Sequence, residues 1–256
     1  MKKVSFLMTV YNGAKVIRES IPPIMHQTYN NIEIVIVNDG SSDDSAAIIQ
    51  EYCNQDKRIV FVNRSENKGR VYSLNEGLEH CTGDYVAIND ADDISTETRI
   101  EEMLAFIAKK GIEDKFGVVG SANITEDRTT GKRSTYKIKT GTLGDRVSIA
   151  RIFLGMPFIH SSFIYSNHAL KDVNGFANEV TSSIDYFTLN KISRNYPIYA
   201  YRGVTVIRLI DGNNYFLKPQ MINKKTQNRE IIHQWQNDNF KMAPLYSLIR
   251  KIRKGI

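Results

Sequence analysis

The chain has 256 residues, 41% of them hydrophobic and 10% aromatic, and a net charge of +6. That is enough apolar material for one large α/β domain, or one domain with a small appendage, and it excludes a globally disordered chain. Residues 218–256 carry +7 and the rest −1, which argues against a nucleic-acid-binding surface spread over the fold.

Lys2-Lys3 and Val4–Val10 begin like a signal peptide, but the apolar run is too short and Tyr11-Asn12-Gly13 ends it without a cleavage pattern. It reads as a first strand. No stretch approaches the ~20 apolar residues that span a bilayer, so the expectation is a soluble or peripheral protein. Cys53 and Cys81 sit in regular segments without metal-like spacing. They read as small buried residues in a reducing cytoplasm.

Residues 14–27 place Val16, Ile17, Ile21, Ile24 and Met25 near helical spacing, with Pro22-Pro23 predicted to kink or restart the helix. Ile32–Val37 is β-branched and ends in Asn38-Asp39-Gly40, a strand and turn. Ser41-Ser42-Asp43-Asp44 supplies caps for a helix to about Tyr52. Arg58–Val62 and Tyr85–Ile88 are the next strands, and Arg70–His80 the helix between them. Thr96–Lys110 is amphipathic through Ile100, Met103, Leu104 and Ile107, and Gly111 closes it. Strands alternating with helices imply a mainly parallel central sheet flanked by helices, with ligands at the carboxyl ends of the strands. Beyond residue 117 the pattern is mixed. Strands are predicted at Arg133–Thr140, Ser161–Tyr165 and Ile198–Ile210, and helices at Asp145–Leu154 and Asp185–Asn195.

Three strand ends should share one edge: Thr9-Val10-Tyr11-Asn12, Asn38-Asp39-Gly40 and Asn89-Asp90-Ala91-Asp92-Asp93. Three acids in four residues repel unless a cation compensates, and Mg²⁺ or Mn²⁺ prefers carboxylates together with substrate phosphates. Alone, the same acids also suit a solvated loop that caps the next helix. Asp39 suits either a turn or an acceptor for a base N–H or ribose hydroxyl. Lys68 and Arg70 suit either helix punctuation or neutralisation of a diphosphate.

Their combination is far more specific. Thr9–Asn12, Gln27-Thr28-Tyr29, Glu33–Gly40 with Ser41-Ser42-Asp43, Asn67-Lys68-Gly69, Asn75-Glu76-Gly77, Gly83-Asp84-Tyr85 and Asp90–Asp93 follow in one order. This set closely resembles the inverting glycosyltransferases of family two, which have the GT-A fold. The resemblance implies a nucleotide pocket lined by Thr9, Val10, Tyr11, Asn12 and Asp39, with Asp39 reading the base, commonly uracil. Lys68, Gly69, Asn75, Asp90, Ala91 and Asp92 complete the nucleotide-sugar set. Asp90 and Asp92 match the Asp-x-Asp motif that holds Mn²⁺ or Mg²⁺ on the diphosphate. Asp93 is expected as a helix cap.

The second half resembles the family more weakly, through Pro157–Ser162, Asn174-Gly175-Phe176 and Ser183-Ile184-Asp185-Tyr186. Asp185 matches the general base that deprotonates the acceptor hydroxyl. Ile184 departs from the pattern, standing where members usually carry a first acid. His160 is expected to wall the acceptor side, and Arg208 to be a phosphate or structural partner. Asp211 stands where histidine is common.

The resemblance implies an enzyme moving a sugar from a nucleoside-diphosphate sugar, commonly a UDP-sugar, to a glycan or lipid-linked hydroxyl, in cell-surface polysaccharide synthesis. The alternatives are a binding module of the same fold, favoured by Ile184, and a nucleotidyltransferase, disfavoured because Tyr11–Lys15 is poor in glycine. The expected organisation is a glycosyltransferase domain over 1–217 and a basic helical extension over 218–256. Residues 1–100 form its donor half and 101–217 its acceptor half. Residues 242–256 read equally as a basic amphipathic helix on an anionic membrane at the cytoplasmic face or as a helix packed on the domain.

Overall fold

The computed structural model describes residues 1–136, 138–141, 144–211 and 219–240, with backbone alone over 219–227. The basic segment 242–256 and Gly212-Asn213 lie outside the described residues.

β1 (Val4–Val10) and β2 (Ile32–Asn38) are almost wholly buried on both faces. Their unbroken apolar runs follow from this, because helices cover both sides of a parallel sheet. The two pair in parallel from Val4↔Ile32 to Val10↔Asn38. β3 (Ile59–Asn63) adds in parallel outside β2, whereas β4 (Tyr85–Ile88) pairs in parallel with the opposite side of β1. The chain thus moves outward to β3 and returns across β1, and this reversal opens a crevice at the carboxyl ends of β1 and β4.

The crossovers are α1 (Ile17–Met25), α2 (Ser45–Gln55) and α3 (Arg70–His80). α1 continues through Pro22 and Pro23 instead of restarting. Pro22 cannot donate to the Arg18 carbonyl, and that oxygen accepts instead from the Tyr52 hydroxyl at 3.4 Å.

The second half follows as β5 (Asp93–Ser95), α4 (Arg99–Lys110), β6 (Val118–Asp127), β7 (Arg133–Tyr136), β8 (Arg146–Val147) and α5 (Ile149–Phe153). It closes with β9 (Phe163–Ser166), α6 (Asn167–Asp172), α7 (Ile184–Ser193), β10 (Ile198–Ile210) and α8 (Pro219–Asn239). The main strand order is β3-β2-β1-β4-β9-β6-β10-β5. The sheet is parallel from β3 to β4 and mixed beyond, since β9 runs antiparallel to both β4 and β6.

Two segments differ from expectation. Residues 145–154 split into β8 and α5 because the Ser148 hydroxyl caps α5, accepting from Arg151 N at 3.2 Å. The strand expected from Ser161 begins at Phe163, after a 3₁₀ turn over His160–Ser162.

One core packs α1, α2 and α4 against Phe6, Ile34 and Ile36; the other packs α3, α6 and α7 against Leu7, Val37 and Phe163. α3 lies close on the sheet because residue 77 is glycine: a Cβ there would overlap the Leu7 side chain and sit 2.9 Å from Val37 Cγ2. α8 joins the second core through Ile232 and through Trp235, whose ring centroid is 5.5 Å from that of Phe187. Among the described residues, no helix is long and apolar enough to cross a membrane.

Candidate active site at the strand ends

The loops after β1 and β2 are stitched into one wall. Asp39 N donates to Val10 O at 2.8 Å, Asn12 N to Ser41 Oγ at 2.9 Å, and Ser42 N to Asn12 Oδ1 at 2.9 Å. Gly40 has φ +64°, and a Cβ there would lie 2.5 Å from the backbone nitrogen of Asn67. Glycine therefore lets the 66–69 loop close over the turn. The Asp39 carboxylate is 3% exposed and accepts from Lys68 N at 2.8 Å, from Gly69 N at 3.0 Å and from the Arg64 guanidinium. Thr9–Asn12, Asp39, Lys68 and Gly69 are thus contiguous, and Tyr11 is exposed at their edge.

Asp90-Ala91-Asp92-Asp93 turns between β4 and β5. Asn89 pins this turn, its Nδ2 donating to Asp90 O at 2.9 Å and Asp93 O at 3.0 Å while its Oδ1 accepts from Ser95 Oγ at 2.7 Å. Ser161, from the 3₁₀ turn, accepts from Asp90 N at 3.2 Å and donates to the Asp93 carboxylate. Asp93 is not the helix cap expected of it. It starts β5, opposite Arg208 in the β10 register, and Thr98 precedes α4. Burial, then the charges of Asp90 and Asp92, push its carboxyl up to about 8.

Arg99 lies beneath the turn, fully buried. It donates to Ile88 O and Ser95 Oγ, both at 2.9 Å, and to Phe163 O at 3.0 Å. Burial pushes its guanidinium down to about 9 against the pull of Asp93 and Asp90. The sequence offered no sign of this: Arg99 reads as an ordinary first-turn residue of an amphipathic helix, and nothing near Ser161 points to the acidic turn.

Arg70, the first residue of α3, pairs with Asp90 and places a guanidinium nitrogen 3.2 Å from His160 Nδ1. Burial works against the charged form of Asp90, but Arg70, His160 and the Ser161 hydroxyl together outweigh it and hold the carboxyl below its usual range. Because Arg70 only donates, His160 Nδ1 accepts, and Nε2–H faces the Tyr165 hydroxyl at 3.2 Å. Burial pushes the imidazole down to about 4, so it is neutral. His160 is 6% exposed among the Phe163, Tyr165 and Phe176 rings, and its Nδ1 meets Arg70.

Asp185 lies in the first turn of α7, half-buried, and its charge reaches Arg70, His160 and Tyr165. Ile184, in place of the first acid, is 6% exposed within the core. Arg208 is half-buried and its charge reaches Asp92 and Asp93. Asn75 stands apart. Its amide donates to Phe176 O at 3.0 Å and accepts from Phe176 N at 2.8 Å, a tether between residues 101 apart in the chain.

Among the described residues no three His, Cys, Asp or Glu side chains cluster to enclose a metal ion. Asp92 is exposed and has no ion pair among them, in a turn with three acids. That donor set suits a cation held by one or two carboxylates and completed by phosphate oxygens, as Mg²⁺ commonly is.

The strand reversal at β1, the acidic turn after β4 and the mixed second half define a GT-A glycosyltransferase fold. Solved structures of that fold align over most of the chain. The mannosyltransferase PcManGT from Pyrobaculum calidifontis, in complex with GDP-Man and Mn²⁺, has TM-score 0.73 and 18% identity over 98% of this chain and 70% of that one. S. aureus TarS 1–349 in complex with UDP-GlcNAc has TM-score 0.71 and 19% identity over 90% and 65%. An uncharacterized glycosyltransferase of Haemophilus influenzae is 30% identical over 187 residues, 68% of this chain and 74% of its own length. Other relatives are longer: the chain spans 42% of a second H. influenzae glycosyltransferase that it matches. Residues 5–170 match the model of glycosyl transferase family 2, and the chain belongs to that family.

Proposed function

We propose that the protein transfers a sugar from a nucleoside-diphosphate sugar, a UDP-sugar first among candidates, to a hydroxyl of a glycan or lipid-linked acceptor. Transfer inverts the anomeric carbon and serves cell-surface polysaccharide assembly. The observation that carries this reading is the acidic turn after β4, where Asp90 pairs with Arg70 and Asp92 is exposed, beside the wall built from Asn12 and Asp39. TarS with UDP-GlcNAc and PcManGT with GDP-Man and Mn²⁺ support the nucleotide sugar and the metal.

In this reading Thr9–Asn12 and Asp39 receive the nucleoside. Lys68, its ammonium 4.9 Å from the Tyr72 ring centroid, adds positive charge on the phosphate side. Asp92, with Asp90, would hold Mn²⁺ or Mg²⁺, which supplies positive charge to the departing diphosphate. Asp185 takes the proton of the acceptor hydroxyl, since an inverting displacement needs a base on the face opposite the leaving group. With Ile184 buried, Asp185 does so without a neighbouring acid. Residues 1–100 then form the donor half, 101–217 the acceptor half and 218–256 an extension whose basic character suits an anionic membrane at the cytoplasmic face.

Thermal unfolding across a panel of nucleotide sugars, with and without Mn²⁺, tests the reading. A bound donor at 100 times its Kd stabilises by about 2.7 kcal/mol. The Mn²⁺-dependent part should vanish in Asp92→Ala. No stabilisation by any nucleotide sugar with Mn²⁺ would overturn the reading.

A further inference from the structure

Among the described residues, Arg70 is the one site cation paired with a carboxylate of the acidic turn. Its place is set beside Asp39, which holds Gly69 N at 3.0 Å; Gly69 precedes α3 with φ +91°, and Arg70 reaches from there to Asp90. The pair is not sealed. The Arg70 side chain is 35% exposed and that of Asp90 20%, and Arg70 lines a cleft of about 500 Å³ between α3 and residues 178–181. Neutral His160 gives one guanidinium N–H an acceptor that carries no charge.

A divalent cation and a guanidinium compete for the same carboxylate, because each repels the other at contact distance. A guanidinium also has a strong second option, since its planar fork of donors matches phosphate oxygens as well as carboxylate oxygens. We propose that Arg70 is an exchangeable partner of Asp90: it neutralises this carboxylate in the donor-free enzyme and passes to the donor's diphosphate as a divalent cation takes its place. The inference rests on the metal and diphosphate reading above and adds to it a residue that couples the two ligands. Diphosphate draws Arg70 off Asp90 and so prepares the metal site. The metal releases Arg70 and so prepares the phosphate site. The α3 cation thereby joins the leaving-group machinery, and a lone Mn²⁺ binds weakly until diphosphate is present.

The test is direct binding without turnover. Mn²⁺ is titrated calorimetrically into wild type, Arg70→Gln and Arg70→Lys, and inorganic pyrophosphate is titrated into the same proteins in EDTA. Arg70→Gln should bind Mn²⁺ roughly fivefold or more tightly and pyrophosphate more weakly by a similar factor. Arg70→Lys, which keeps the charge, should bind Mn²⁺ like wild type. A residue that only maintained the fold would weaken both ligands when removed, so the opposite signs identify the exchange. Unchanged or weaker Mn²⁺ binding by Arg70→Gln overturns the exchange while leaving the metal site standing. A wild-type protein that binds Mn²⁺ neither alone nor with UDP overturns the metal reading itself, and the exchange with it.

Discussion

Arg99→Met removes the cation beneath the acidic turn while keeping a long side chain in its place. Two buried backbone carbonyls, Ile88 O and Phe163 O, lose donors at 2.9 and 3.0 Å, and Ser95 Oγ loses one at 2.9 Å. A buried acceptor left unmatched costs about 1–3 kcal/mol, and three acceptors depend on this guanidinium. These losses overlap, because one guanidinium serves all three acceptors. Two effects oppose them: the desolvation of the guanidinium is relieved, and its Nε, which has no partner, is no longer buried. The expected net loss is about 3–4 kcal/mol, a large share of a total stability of ~5–15 kcal/mol. Urea unfolding followed by fluorescence of Trp235, the chain's single tryptophan, reads this as a lower midpoint at unchanged slope. A loss below about 1 kcal/mol would refute the reasoning that Arg99 holds these three acceptors together.

Asp185→Asn should lower acceptor transfer by ~10²–10⁴-fold while leaving donor hydrolysis near wild type, and equal losses in both assays would remove Asp185 from the base role. In EDTA, stability should fall as pH rises from 6.5 towards 8. Asp93 binds its proton more tightly when folded, with its carboxyl pushed up to about 8 from 3.8, so its contribution is complete at low pH and is lost as pH rises through about 8. His160, pushed down to about 4 from 6.5, acts in the other direction only below 6.5. Denaturant titrations at several pH values should show the decline, and Asp93→Asn should flatten it. Gly77→Val should destabilise by about 1–3 kcal/mol, because its added carbons collide with Leu7 and Val37; melting at the wild-type temperature would mean that α3 can lift off the sheet freely.

The sequence alone determined most of the first hundred residues. β1, β2 and β4 are local, strongly apolar runs, and the polar residues that end them fall on one edge as soon as the strands are parallel. The family resemblance then tied Asp39, Asp90 and Asp92 to one site. It was least informative where contacts are distant in the chain. β6 is a ten-residue strand whose outer half is polar, so it shows no clean alternation. Arg99 meets Phe163 across 64 residues, Ser161 meets Asp93 across 68, and Arg70 meets His160 across 90. No local pattern encodes such pairings, because burial and charge balance arise only when the sheet closes. Tertiary structure therefore decided that Asp93 is a buried acid instead of a helix cap, that His160 meets Arg70, and that Asn75 tethers Phe176. It also decided that Asp90 already has a cation beside it, which the motif by itself could not have shown.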